Sequence, residues 1–167
     1  MRYTLIACRS RTDVAARLSY AAKIIKEFLN SWKQGVIEIG KAYQEGADFK
    51  TLAEVFIEKH YAFSEEDILF KPTFTAEKVF RNTKTDAISY FVKGDISEDK
   101  GFALKPWETI EVDELNFLLE DNFLASMGTF LFKPLNEDEV TKVAFTFIFT
   151  EINDSIKIKV HHSSPVF

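Results

Sequence analysis

The stretch from Asp154 to Phe167, DSIKIKVHHSSPVF, alternates like a strand and ends in two histidines and two serines. Histidine is the side chain whose ordinary pKa lies nearest neutrality, so a ring at the end of a core-facing row suits proton transfer. Ile156, Ile158 and Val160 share one face of such a strand, and Lys157 and Lys159 share the other. Strict alternation carries His162 inward with the apolar row and turns His161 outward. His162 is therefore the candidate catalytic residue. A bulge before Val160 would exchange the two rings.

Two cations flank short apolar runs, Lys71 in FKPT and Arg81 in VFRN. Either could hold a carboxylate or phosphate at a pocket rim, Arg81 through a planar fork. Trp107, after the loop EDKGFALKP, is a core residue or a stacking wall. The histidines are poorly spaced as metal ligands, because neighbours on a strand point to opposite faces. No His-x-x-x-His or Cys-x-x-Cys occurs, so no metal and no cofactor are expected. Gly-x-Gly-x-x-Gly, Walker and Gly-x-Ser-x-Gly patterns are also missing from the sequence, which leaves nucleotide loops and hydrolase elbows unsupported.

Val14, Leu18, Ala21, Ile25, Phe28, Trp32, Val36, Ile39 and Tyr43 recur at steps of three and four, which predicts one long helical face. Gly35 and Gly40 weaken its interior, so a break near Asn30 is an alternative. Gly46 can end it. Asp48 caps a second helix over Phe49 to Tyr61. Ile68 to Phe74 reads as a short strand that Pro72 confines to an edge, with Glu77 to Arg81 as its hairpin partner. Thr83 and Asp86 begin a third helix that Gly94 stops. From Trp107 onward four strands follow, separated by short polar turns at Asp121-Asn122, Asn136-Glu137-Asp138 and Asn153-Asp154. Short turns force antiparallel, sequential neighbours. Helices followed by a meander predict an α+β fold, a curved antiparallel sheet wrapped around N-terminal helices.

The chain has 167 residues, 17 of them Phe, which fits one packed domain rather than a disordered one. Its formal net charge of −5 argues against a general nucleic-acid binder, which needs a basic face. No stretch approaches the ~18 apolar residues of a membrane span. Leu5-Ile6-Ala7-Cys8 resembles a lipid-attachment box, but the apolar run before it is short and Arg9 and Arg11 follow. With a single cysteine no internal disulfide forms, and a cytoplasmic location is expected. Phe145, Phe147 and Phe149 fill one strand face while Thr146, Ile148 and Thr150 leave the other semi-apolar, which predicts a homodimer through the outer sheet face.

The order of elements resembles the nuclear-transport-factor-two-like superfamily, which includes SnoaL-like and ketosteroid-isomerase-like proteins with a cone-shaped, cystatin-like fold. VHHSSP looks like the last strand of the calcium/calmodulin-dependent protein kinase II association domain. FKPT, SYFVKGD, EDKGFA, PW, MGTF and HHSSP resemble a group of bacterial proteins often labelled phosphoribosyl-AMP cyclohydrolase. True cyclohydrolases hold metal through cysteines and acids, and only Cys8 is present here. On this resemblance, residues 1–30 are an N-terminal helical extension and residues 31–167 the SnoaL-like cone domain. The resemblance implies a pocket for a small molecule, with the end of the last strand in its wall. That adds His161 and Ser163 to Arg81, Lys71 and Trp107 as expected contacts of an anionic or carbonyl-bearing ligand. A lyase, isomerase or hydrolase activity, or a non-catalytic binding or oligomerisation role, would each use such a pocket.

Overall fold

The computed structural model describes residues 11–167; the Leu5–Cys8 stretch lies outside them. Three α-helices, α1 (Arg11–Gln44), α2 (Phe49–His60) and α3 (Lys84–Val92), pack on a five-stranded sheet. The strands are β1 (Leu69–Lys71), β2 (Trp107–Glu120), β3 (Phe123–Pro134), β4 (Thr141–Ile152) and β5 (Ser155–Pro165). Their order across the sheet is β1-β5-β4-β3-β2. The last four are antiparallel and sequential, and β1 is parallel to β5. The architecture is the expected α+β cone, with one parallel edge strand added.

Helix α1 runs through Asn30 without a break and places Ile25, Phe28, Leu29 and Trp32 in the core. Its interior glycines are points of close approach. A Cβ on Gly35 would lie 2.5 Å from the Phe56 ring of α2, and one on Gly40 would lie 2.7 Å from the carbonyl oxygen of Ala103. Their cost in helix propensity is offset by packing that larger residues forbid. The helix stops where Ala47 N–H reaches back to the Ala42 carbonyl at 2.8 Å and Gly46 N–H to that of Tyr43 at 3.2 Å, a Schellman closure. Asp48 caps α2 by accepting from Thr51 N–H, and Thr83 caps α3 by accepting from Asp86 N–H.

On β4, Val143, Phe145, Phe147 and Phe149 face the core and their alternates are half-buried, as the spacing predicts. The expected hairpin over 77–81 does not form. Pro72 ends β1, and the Glu98 carboxylate accepts the N–H groups of Ala76, Glu77 and Lys78 at 2.8–3.0 Å. Only Arg81 N–H returns to the β1 backbone, at Phe70 O.

Strand β5 carries one residue more than its partner. Phe149 pairs with Ile158 and the adjacent Ile148 pairs with Val160, so Lys159 is left over as a bulge. Ile156 and Ile158 face inward before it, and His161 and Ser163 face inward after it.

Candidate active site

The bulge decides which ring faces the core. His161 is only 5 % exposed, whereas His162 is exposed on the outer face opposite Lys71 and Thr146. The inward placement expected of His162 is therefore corrected. Alternation holds on either side of Lys159, but not across it.

His161 sits among aromatic rings. Phe70, its cross-strand neighbour on β1, stacks on it with centroids 4.6 Å apart, and Phe147 meets it edge-on at 4.6 Å. Its two nitrogens are both engaged. Nδ1 lies 2.9 Å from the hydroxyl of Tyr61, and Nε2 lies 2.9 Å from Oγ of Ser163. Trp32 Nε1–H donates to the Tyr61 hydroxyl oxygen at 3.2 Å. One direction of donation runs from Trp32 to Tyr61, from Tyr61 to His161 Nδ1, and from His161 Nε2–H to Ser163. The Ser163 hydroxyl hydrogen is then left for the cavity. Tyr61 can also accept from Nδ1–H, so it supports the other tautomer, in which Ser163 donates to Nε2. Burial pushes the His161 pKa well down, reinforced by the charges of His162 and Lys71, so the ring is neutral at pH 7. Burial also raises the phenols of Tyr61 and Tyr90, which stay protonated.

His161 and Ser163 line a small cavity in the core together with Thr73, Tyr90, Trp32 and a set of Phe rings. Its free space is about 10 Å³, room for one water-sized molecule. The Tyr90 hydroxyl accepts from Phe74 N–H at 3.4 Å and shares a hydrogen bond with the Thr73 side chain. The polar equipment is thus one neutral imidazole and three neutral hydroxyls in an aromatic box. Among the described residues no carboxylate or thiolate lines it. Among the described residues no three His, Cys, Asp or Glu side chains converge as a metal centre would need.

The structure separates the residues singled out from the sequence. His161 and Ser163 are in the site. Lys71 is beside it: its Nζ donates to the Ser163 carbonyl at 3.1 Å and to that of Thr73 at 3.5 Å, tying β5 to the segment that carries Thr73. Arg81 does not line the cavity. It is fully buried, its Nη2 bonded to Asp99 at 2.8 Å and Glu98 at 3.0 Å, and its Nη1 bonded to the Lys78 carbonyl. Ser89 donates to the other oxygen of Asp99. Trp107 is core: its Nε1–H donates to Phe102 O and its ring packs on Phe132. Sequence reasoning missed Tyr61, Thr73 and Tyr90. Thr73 stands in the FKPT phrase but had no chemical role there, and Tyr61 ends α2 with no local signal.

The fold and this neutral site define a class. An NTF2-like protein with a cystatin-like fold from Novosphingobium aromaticivorans superposes with a TM-score of 0.62 at 10 % identity, covering 96 % of this chain and 92 % of that one. A calcium/calmodulin-dependent protein kinase II association domain from Xanthomonas campestris does so at 0.59 and 16 % identity, over 99 % and 97 %. The chain has the nuclear-transport-factor-two-like fold. Within that class, the family model described as metal-independent carbonic anhydrase matches residues 23–165, and the chain belongs to that family. A metal-independent carbonic anhydrase from Nostoc sp. strain PCC 7120 is 31 % identical over 140 residues, 80 % of this chain and 68 % of the relative. The crystal structure of a cyanobacterial iota-carbonic anhydrase complexed with bicarbonate superposes with a TM-score of 0.81 at 28 % identity, covering 87 % and 92 %. These matches replace the cyclohydrolase label.

Proposed function

We propose that this chain is a metal-independent carbonic anhydrase that interconverts carbon dioxide and bicarbonate at His161. One observation carries the reading beyond family membership: among the described residues, the lining of the small cavity offers a proton or an oxyanion a neutral histidine and three hydroxyls. Carbon dioxide is apolar and of a few atoms, which suits aromatic walls. Bicarbonate is a small oxyanion, which suits convergent hydroxyl donors.

In hydration, a water oxygen attacks the carbon of carbon dioxide. The water gives one proton to Ser163 Oγ as Ser163 passes its own to His161 Nε2, with Nδ1–H held by Tyr61. The C–O bond that forms leaves the negative charge on the former carbon dioxide oxygens, where the hydroxyls of Thr73 and Tyr90 donate. The depressed pKa makes the imidazolium a poor resting state, so it returns its proton through Ser163 to solvent once bicarbonate leaves. The neutral ring is then restored. The charge of Lys71 beside the cavity favours the anionic product over the same site left empty.

Stopped-flow hydration with a pH indicator tests this. Turnover should survive exhaustive chelation, fall by roughly two orders of magnitude or more in His161→Asn, and be unchanged in His162→Ala. Bicarbonate binding without any turnover would instead make the chain a binding module. We further propose a cytoplasmic homodimer. No helix among the described residues is long and apolar enough to cross a membrane. Leu118 and Met127 are exposed on the outer sheet face, which favours a partner there.

A further inference from the structure

A second cavity, of about 580 Å³, lies between the first half of α1 and the turns that join β2 to β3 and β4 to β5. It shares no lining residue with the His161 cavity. Its volume falls in the range of small-molecule sites. Ile24 and Phe28 of α1, Leu119 and Leu124 of the sheet, and Phe149 and Ile156 give it apolar walls.

Its polar floor is the pair Ser31 and His60, with Ser31 Oγ 2.9 Å from His60 Nε2. His60 Nδ1 lies 2.8 Å from the carbonyl oxygen of Phe56. A carbonyl only accepts, so Nδ1 carries the hydrogen. Burial pushes the His60 pKa down to about 4, so the ring is neutral at pH 7 and Nε2 is bare. Ser31 must then donate its hydrogen to Nε2. What Ser31 presents to the cavity is an oxygen that accepts and cannot donate. A carboxylate or phosphate finds no donor on this floor. The rim carries Glu27, Asp121, Glu151 and Asp154 beside Arg17, Lys59 and Lys159, an excess of one negative charge.

We propose that this cavity binds a neutral, largely apolar molecule that donates one hydroxyl hydrogen to Ser31 Oγ. The apolar body replaces water against Phe28, Phe149 and Ile156, and the hydroxyl orients it.

Three probes of one shape test the claim on the full chain: 2-naphthol, its methyl ether, and 2-naphthoate. Calorimetry should give saturable binding of 2-naphthol, roughly five- to tenfold weaker binding of the ether, which has no hydrogen to donate, and weaker binding still of the anion. On titration with 2-naphthol, the ring resonances of His60 should move and those of His161 should not. Ile156→Trp, which fills the cavity, should abolish binding with carbon dioxide hydration unchanged. If that variant fails to fold, the probe series on the native chain decides alone. Equal affinity for naphthol and ether, shifts at His161 instead of His60, or no saturable binding overturns the proposal. The measurement reads binding, so its failure leaves the reading of the His161 cavity untouched.

Discussion

Tyr61 and His161 are 100 positions apart in the chain and share a hydrogen bond of 2.9 Å in a fully buried setting. The phenol leaves the end of α2, where a parallel bridge to Ile158 and the bond from Ala62 N–H to Ile158 O lock that end onto β5. Tyr61 is therefore placed by backbone contacts that do not involve the ring it serves. That fixes its hydroxyl against Nδ1 whatever else occupies the cavity.

Tyr61→Phe should keep the fold and damage the site. Trp32 Nε1–H loses its acceptor, and His161 Nδ1 loses its hydrogen-bond partner. Leaving a buried donor unpaired costs about 1–3 kcal/mol. Denaturant melts should report that loss, and stopped-flow assays a fall in kcat of roughly tenfold or more at little change in KM.

Stability should fall between pH 6.5 and about 4 through His60, whose native pKa burial holds near the lower value. In that interval the unfolded chain binds a proton that the native ring refuses, so unfolding becomes easier as pH drops. At roughly 1.4 kcal/mol per pH unit, the contribution lost is ~3 kcal/mol. Buried His161 acts in the same direction. Urea midpoints from pH 7.5 to 4.5 should show the slope, and His60→Gln should flatten it.

Arg81 gathers two carboxylates and a carbonyl into one buried cluster, so Arg81→Met leaves Asp99 uncompensated except for Ser89. Breaking a buried pair in this way costs about 3–5 kcal/mol. Arg81→Lys should not restore it, because an ammonium cannot reach three acceptors that a planar fork spans. Chemical denaturation of both variants is the check.

Ser126 on β3 is 1 % exposed and its hydroxyl has no hydrogen-bond partner among the described residues. Ser126→Ala removes a buried polar group that is not satisfied, so it should be neutral or stabilising by up to ~1 kcal/mol. A fall in melting temperature would mean that the hydroxyl has a partner in solution.

Much of the fold was legible because its signals are local. Capping by Asp48 and Thr83, the stride of the α1 face, and the alternation of Val143, Phe145, Phe147 and Phe149 each depend on residues a few positions apart. The pairing of β1 with β5 was not legible: the three-residue strand and its partner are some ninety residues apart, and nothing in FKPT specifies a parallel edge. The site was half legible. HHSS marked the strand end that lines the small cavity, but a bulge leaves no trace in an alternating pattern, so the ring that faces inward is His161 and not His162. Arg81 looked like a ligand fork because its partners, Glu98 and Asp99, sit in a loop whose proximity only the tertiary fold creates.

Lys159 is a residue that β5 can lose without turning its inner row. Ile158 opposite Phe149 and Val160 opposite Ile148 would then be consecutive, and His161 would keep its place opposite Phe147. A single-codon deletion at this point would close the bulge and leave His161 and Ser163 on the inner face. Related chains can shorten by one residue just before the histidines and still present the same imidazole followed by the same hydroxyl.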